Sequence, residues 1–472
     1  MLPTMKPAYH LSRLVVISIA IVSSSAWASR AGATEPEPCG VVDIGRAGWS
    51  TVEAIRQTPG IHRWIELDDR LLVCGTMDSI NRIATEHGVV ARWDSVNGDR
   101  LFLSLGRPPT DLEASGIRVL ASTAGYSIVD ASIVAVESTS TVRRDRRDRP
   151  MLTPLLSNTI VLRQQANAPP QPKIDFLREV QTLVDEVNGN RWFADVVDLA
   201  SYNRHTHSPD NLNARDWLVT RFQALPNLTV TTPSFSVAGT TAYNVVAKLD
   251  GTLAVDDWYV IGGHFDSTSE NPSVAAPGAE DNASGCAGVL EMARIFTAYQ
   301  PRATVLFICY SGEEQGLYGS EAHVAELLAS GDLDKVQAML DMDMIGYTAD
   351  ADLDCLLETD PFAQSLLDPF VDAAAEFTQL RVVTTLFAWG SDHVPYLDAG
   401  IPALLTIEND WSQYPDYHRT TDLPANLTIA MAEEILKMNV GALAVLTGTE
   451  PGWVFSDGFE SGGTSAWSIV EP

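Results

Sequence analysis

Positive charge is scarce in this 472-residue chain: 31 lysines and arginines stand against 61 aspartates and glutamates, leaving a net charge of −30. Phosphate binding needs a basic face, so the charge balance argues against a nucleic acid partner. Long apolar runs are also few. The run from Leu14 to Val22 is shorter than the ~20 residues that a spanning helix requires, and no other segment is longer and apolar enough. Cysteine is rare. Cys39, Cys74, Cys286, Cys309 and Cys355 are odd in number, and no two have zinc-finger spacing. Two hydrolase signatures are missing. The absence of G-x-S-x-G disfavours a serine hydrolase, and the absence of H-E-x-x-H disfavours a single-zinc gluzincin.

What remains is a chain that is 45% hydrophobic, able to build a large core. Its length suits two or three domains. At the start, Lys6, His10 and Arg13 precede the apolar run, and Ala26-Trp27-Ala28 follows it. A basic segment, a short apolar segment and an A-x-A site predict a secretory signal peptide over residues 1–28. Cys39 and Cys74 could then pair in an oxidising compartment, whereas Cys309, inside an apolar run, reads as a small buried hydrophobe.

Residues 29–165 read as an N-terminal, pro-domain-like α+β region with short strands such as Leu71-Leu72-Val73 and Leu101–Leu105. Near its end, Arg143, Arg144, Arg146, Arg147 and Arg149 form an exposed segment. It is either a solvated linker or a protease-sensitive junction between a propeptide and a mature enzyme. Gln164 to Lys173 is a second, proline-containing linker, and residues 450–472 form a Gly/Ser-rich tail.

Over residues 166–449 apolar runs alternate with helical periodicity. Strands are expected at Tyr243–Leu249, Trp258–Gly262, Ala303–Tyr310, Val336–Leu340 and Pro402–Ile407, and helices at Ser284–Tyr299 and Leu427–Val445. That alternation implies an α/β sandwich on a mainly parallel sheet. The ionisable residues follow the strands. His264 and Asp266 come after the second, Glu313 and Glu314 after the third, Asp343 after the fourth and His418 after the fifth. Asp281 precedes the helix at Ser284. Ligands of open α/β sheets bind outside the carboxyl ends of strands. Adjacent carboxylates such as Glu313-Glu314 repel unless a cation neutralises them, and a carboxylate beside Met342, Met344 and Ile345 needs a partner. Two histidines and three carboxylates are donors that zinc accepts, with one carboxylate bridging and Glu313 left over for the water between the ions.

The segments Gly262–Ser267, Glu280–Gly285, Ser311–Ser320, Asp343–Gly346 and Tyr417-His418, with Gly390–His393 and Gly400–Ala403, resemble the secreted di-zinc aminopeptidases of metallopeptidase clan MH, the leucine-type bacterial enzymes. The resemblance spans roughly residues 174–449. It implies an α/β/α three-layer sandwich around a mixed sheet and a cofactor of two zinc ions. Asp281 bridges them in this reading; His264 and Asp343 complete one metal, Glu314 and His418 the other. Glu313 becomes the general base and acid, and Asp266 orients His264. Arg419 and Glu280 depart from the family pattern without removing a ligand. The implied activity is secreted removal of N-terminal, apolar residues from peptides. A clan-related carboxypeptidase, a glutaminyl cyclase and a non-catalytic receptor-like domain are the alternatives. Phe387, Trp389, Tyr396 and Trp411 are candidates for a hydrophobic pocket, and Asp266, Glu280, Glu313 and Asp392 for attracting a substrate ammonium.

Overall fold

The structure is a computed structural model that describes residues 36–105, 117–123, 125–131, 152–164 and 178–448. The expected signal peptide, the arginine-rich segment, most of the second linker and the C-terminal tail lie outside the described residues.

Among the described residues, the N-terminal region holds nine strands: β1 (Glu37–Asp43), β2 (Ile61–Asp68), β3 (Arg70–Gly75), β4 (Ala91–Val96), β5 (Leu101–Leu105), β6 (Arg118–Ser122), β7 (Tyr126–Asp130), β8 (Leu152–Pro154) and β9 (Thr159–Gln164). Strand β3 reads as a continuous apolar run because both of its faces are covered. Leu71 and Val73 pack with Val52, Ile55, Ile80 and Ile83 of the helices Trp49–Arg56 and Met77–Glu86. Leu72 and Cys74 face the opposite way, into a cluster with Leu103, Leu120 and Ile128 of a second sheet, ordered β6-β7-β5-β8. Cys39 and Cys74 are register partners on β1 and β3 and form a disulfide. The expected small α+β region is therefore present.

Ten strands follow: β10 (Leu228–Thr231), β11 (Ser234–Val237), β12 (Thr240–Tyr243), β13 (Val245–Leu249), β14 (Ala254–His264), β15 (Ala303–Tyr310), β16 (Val336–Met342), β17 (Asp354–Glu358), β18 (Arg381–Thr385) and β19 (Ala403–Glu408). Strands β15, β14, β16 and β19 are successive parallel neighbours, while β10, β13 and β17 add antiparallel pairings. Alternate residues serve the two faces, as the pleat requires. Val305, Phe307 and Cys309 join a core under the helices Arg178–Asp185, Gly189–Ala200, Asp210–Gln223, Gly285–Tyr299, Leu367–Phe377 and Ile429–Thr447. Leu306, Ile308 and Tyr310 face the helices Tyr318–Ser330 and Val394–Asp398. The expected α/β/α sandwich on a mixed sheet is thus formed.

Two features were not foreseen. The N-terminal region continues the main sheet: β9 pairs antiparallel with β18 on one side and parallel with β2 on the other, giving one thirteen-stranded sheet. Cys309, expected to be a solitary buried hydrophobe, is bonded to Cys286 of the helix Gly285–Tyr299, with Cα atoms 5.8 Å apart. The sequence separates these two by a helix, and only the packing of that helix on β15 brings them together. The remaining cysteine, Cys355, is buried and free. Among the described residues no helix is long and apolar enough to cross a membrane.

Candidate metal centre

The parallel strands carry their ionisable residues to one edge of the sheet. His264 is the last residue of β14; Glu313 and Glu314 follow β15, and Asp343 is the residue after β16. Asp281 lies in the turn that leads into the helix Gly285–Tyr299, and His418 in the loop beyond β19. Met344 and His418 adopt left-handed backbone conformations, with φ of 54° and 56°. Such conformations in non-glycine residues cluster where surrounding structure imposes them for function.

All five expected ligands converge. Nε2 of His264 lies 3.3 Å from Oδ1 of Asp281 and 3.4 Å from Oδ1 of Asp343. Nε2 of His418 lies 3.0 Å from Oδ2 of Asp281 and 3.1 Å from Oε2 of Glu314. Each histidine thus faces a different oxygen of Asp281. The donor atoms of His264, Asp281 and Asp343 fall within 4.8 Å of one another, as do those of Asp281, Glu314 and His418. Neither Nε2 has the alignment of a hydrogen bond, although both are buried. Buried ring nitrogens aimed at carboxylate oxygens without a bond between them fit a shared cation better than a hydrogen-bonded cluster. Burial alone would lower the His418 imidazole pKa, but Asp281 and Glu314 outweigh it and lift it to about 10. A site that holds positive charge so strongly also favours a metal ion.

Glu313, Oε2 3.8 Å from Nε2 of His264, belongs to neither donor set and remains beside them. The role expected for Asp266 changes in detail. Nδ1 of His264 meets the main-chain carbonyl of Asp266 at 3.0 Å, while the nearer carboxylate oxygen is 3.8 Å away. The carboxylate instead accepts the main-chain N–H groups of Glu313 and Glu314, at 3.1 and 3.3 Å, and the hydroxyl of Thr206 at 3.0 Å. Strand β14 ends at His264, so the i, i+2 alignment of an extended strand does not persist to the Asp266 side chain. Burial raises the Asp266 carboxyl to about 6 despite the nearby His264.

The sequence did not reveal the residues that hold the ligands in place. Asp422 accepts the main-chain N–H of Glu280 at 2.9 Å and of Asp281 at 3.1 Å, and receives the hydroxyl of Tyr414 at 2.7 Å. The Ser391 hydroxyl donates to Oδ2 of Asp343 at 2.7 Å, which leaves Oδ1 facing His264. Arg204 is fully buried and donates to the carbonyls of Leu199, Phe265, Pro277 and Gly278, joining the segment after His264 to the segment before Asp281. An arginine in the sequence of a loop gives no sign of this, because the signal lies wholly in the carbonyls it meets.

Beside the donors is a pocket lined by Met344, Leu356, Leu405, Ile407, Trp389 and Trp411, with Asp281, Asp343 and Glu358 as its acidic members. Trp389 and Trp411 are thus at the site as expected, their rings 6.0 Å apart. Phe387 and Tyr396 are not: Phe387 packs in the apolar cluster behind, and Tyr396 is fully buried, its hydroxyl 2.6 Å from that of Tyr310. Glu280 and Asp392 also leave the expected acidic set. Glu280 is buried, accepting the main-chain N–H groups of Gly346 and Tyr347, and burial raises its pKa well above the usual range. Asp392 is buried beside Ser320 and Asp341.

Comparison with known proteins agrees with this geometry. Residues 244–442 match the model of Peptidase family M28. A "Probable zinc metalloprotease" of Pyrenophora teres is 34% identical over 192 residues, covering 36% of this chain and 41% of its own. A second so named, from Phaeosphaeria nodorum, is 30% identical over 305 residues, covering 50% and 61%. A probable aminopeptidase of Saccharomyces cerevisiae is 29% identical over 261 residues, covering 52% and 69%. The chain therefore spans about 40% of the length of several curated relatives that it matches. Among solved structures, an aminopeptidase of Legionella pneumophila shares the fold, with a TM-score of 0.51 at 19% identity over 74% of this chain and 98% of its own. The segment matched by the model of Peptidase family M28, 244–442, carries every donor of the two clusters.

Proposed function

We propose that this protein is a secreted exopeptidase that removes single, apolar residues from the free N-termini of peptides, with two zinc ions at its centre. The observation that carries the reading is the placement of Asp281, one oxygen toward His264 and the other toward His418. His264 and Asp343 would hold one ion, Glu314 and His418 the other, and Asp281 both. Zinc so held would lower the pKa of a bound water and polarise the scissile carbonyl.

The remaining work falls to the chain. Glu313 accepts a proton from the attacking water at its carboxylate and returns it to the leaving amine. Asp266 fixes the main chain of both Glu313 and Glu314, so base and ligand keep their separation. Ser391 commits one oxygen of Asp343, leaving the other for metal. The aromatic and aliphatic walls of the adjoining pocket suit an apolar first side chain. Glu358, the acidic wall of the pocket outside the proposed donor set, would attract an ammonium and repel a carboxylate. Among the described residues no lysine or arginine lines that pocket, and Arg419 is exposed, so nothing described favours the terminal-carboxylate recognition that a carboxypeptidase needs. Two disulfides support an oxidising compartment, as the expected signal peptide does.

The test compares a peptide beginning with leucine and the same peptide acetylated. Release of free leucine from the first alone is expected. Equal cleavage of the acetylated peptide, or loss of residues from the C-terminus, overturns the aminopeptidase reading.

A further inference from the structure

The pocket beside the metal donors has its outer support in the N-terminal region. Met344, Leu356, Leu405 and Ile407, all pocket walls, share one apolar cluster with Tyr126 and Leu103. Tyr126, 3% exposed, starts β7 after the turn at Gly125. Its hydroxyl donates to Oε2 of Glu358 at 3.4 Å, a contact between residues 232 apart in the chain. Oε1 of the same Glu358 accepts the main-chain N–H of Trp389. Glu358 and Trp389 both line the pocket. The opposite wall lies next to the same turn, since a Cβ added to Gly125 would sit 3.4 Å from the Trp411 ring, and that ring faces Trp389.

We propose that the described N-terminal segments, residues 36–105, 117–123, 125–131 and 152–164, are a permanent part of the enzyme's specificity pocket, in place of a pro-domain that is shed, and that Tyr126 is the positioning residue that fixes Glu358 and Trp389. The inference rests on the aminopeptidase reading of the site. The physical reason is one of rigidity. A pocket selects among side chains only if its walls keep their separation, and each methylene accommodated or excluded counts for about 1–3 kcal/mol. Glu358 and Trp389 sit where β17 ends and in the loop before the helix Val394–Asp398, so their own strands do not fix both of them. Tyr126 reaches them from a different sheet. Burial and the neighbouring Glu358 raise its pKa well above the usual phenol range, so the hydroxyl keeps its proton and remains a donor. The continuity of the main sheet through β9 gives the brace a fixed base.

Two variants of the full, zinc-loaded chain test this, Tyr126→Phe and Gly125→Val. The first removes one hydroxyl; the second pushes on Trp411 and leaves the Tyr126 bond alone. The ratio of kcat/KM for phenylalanine and alanine 4-nitroanilides should change at least about five-fold in each, carried by KM, with zinc content unchanged. The same selectivity is read without turnover by calorimetric titration with leucinol and alaninol. If wild-type protein cleaves none of the amides, the aminopeptidase reading fails, while the leucinol to alaninol ratio still reports on the pocket. Ratios within two-fold of wild type in both folded variants, or a wild type that binds leucinol no better than alaninol, overturn the proposal. A lowered melting temperature with unchanged ratios also overturns it, since that is what a merely structural tyrosine gives.

Discussion

Asp422 holds the main chain of Asp281: its Oδ2 accepts the Asp281 N–H at 3.1 Å, and its Oδ1 accepts the N–H of Glu280. It lies four residues after His418, so one loop supplies both a candidate ligand and the brace for another. Groups that orient ligands commonly matter ~10–100-fold in metal affinity. Asp422→Ala should therefore weaken zinc binding by about that factor in competition with a chelating dye. Affinity equal to that of wild type would show that the Asp281 turn holds itself.

Glu313 and Glu314 are adjacent, yet they should fail in different ways. Glu313→Gln should retain zinc and lose at least ~10²-fold in turnover, the usual scale of general acid–base assistance. Glu314→Gln should lose metal first, because its Oε2 faces Nε2 of His418. Metal content measured beside kcat separates the two. The reverse pattern would exchange their assignments.

Much of this centre was readable in the sequence because its donors sit where apolar runs stop. The Ala303–Tyr310 strand appeared with its expected bounds, and Glu313-Glu314 follows it after Ser311 and Gly312. The helix expected from Ser284 begins at Gly285, one turn beyond Asp281. Strands β17 and β18 passed unnoticed, although β18 is the edge that receives the N-terminal region. Their short runs, Asp354–Glu358 and Arg381–Thr385, begin on charged residues and lack an extended periodic pattern. Asp266 was expected to orient His264 through its carboxylate, but that carboxylate turns to main-chain amides that no sequence pattern records. The supports Asp422, Ser391 and Arg204 depend on contacts between segments distant in the chain, and composition carries no trace of these.

Arg204 offers a measure of how much that hidden support is worth. Its guanidinium is fully buried and shared among four carbonyls. Burial lowers its pKa to about 10, so it remains charged at neutral pH. A lysine has one ammonium and cannot reach the same fan of acceptors. Arg204→Lys should lose more than about 2 kcal/mol of stability in urea unfolding, since buried carbonyls are left without donors. It should also lower zinc affinity, because Arg204 links the segments flanking His264 and Asp281. A loss below about 0.5 kcal/mol, the scale of a surface substitution, would contradict this account.

The pH dependence of stability should carry the signature of His393. The residue is fully buried, with Nδ1 3.6 Å from Oδ2 of Asp341 and Nε2 3.3 Å from Oε1 of Glu358. Burial alone would lower its pKa, but these carboxyl groups outweigh burial and lift it to about 9. An unfolded histidine titrates near ~6.5. The folded value is the higher one, so the folded state binds the proton more tightly. The resulting stabilisation is full below about pH 6.5 and is lost as pH rises through about 9. It amounts to at most roughly 3–4 kcal/mol, at ~1.4 kcal/mol for each unit of difference. Melting temperatures of the zinc-saturated protein, taken between about pH 6.5 and 9, should fall more steeply for wild type than for His393→Gln. The variant lacks the titrating imidazole while keeping a side chain able to bond to Asp341 or Glu358. Parallel curves for the two proteins would mean that His393 is neutral in the folded state across the whole window.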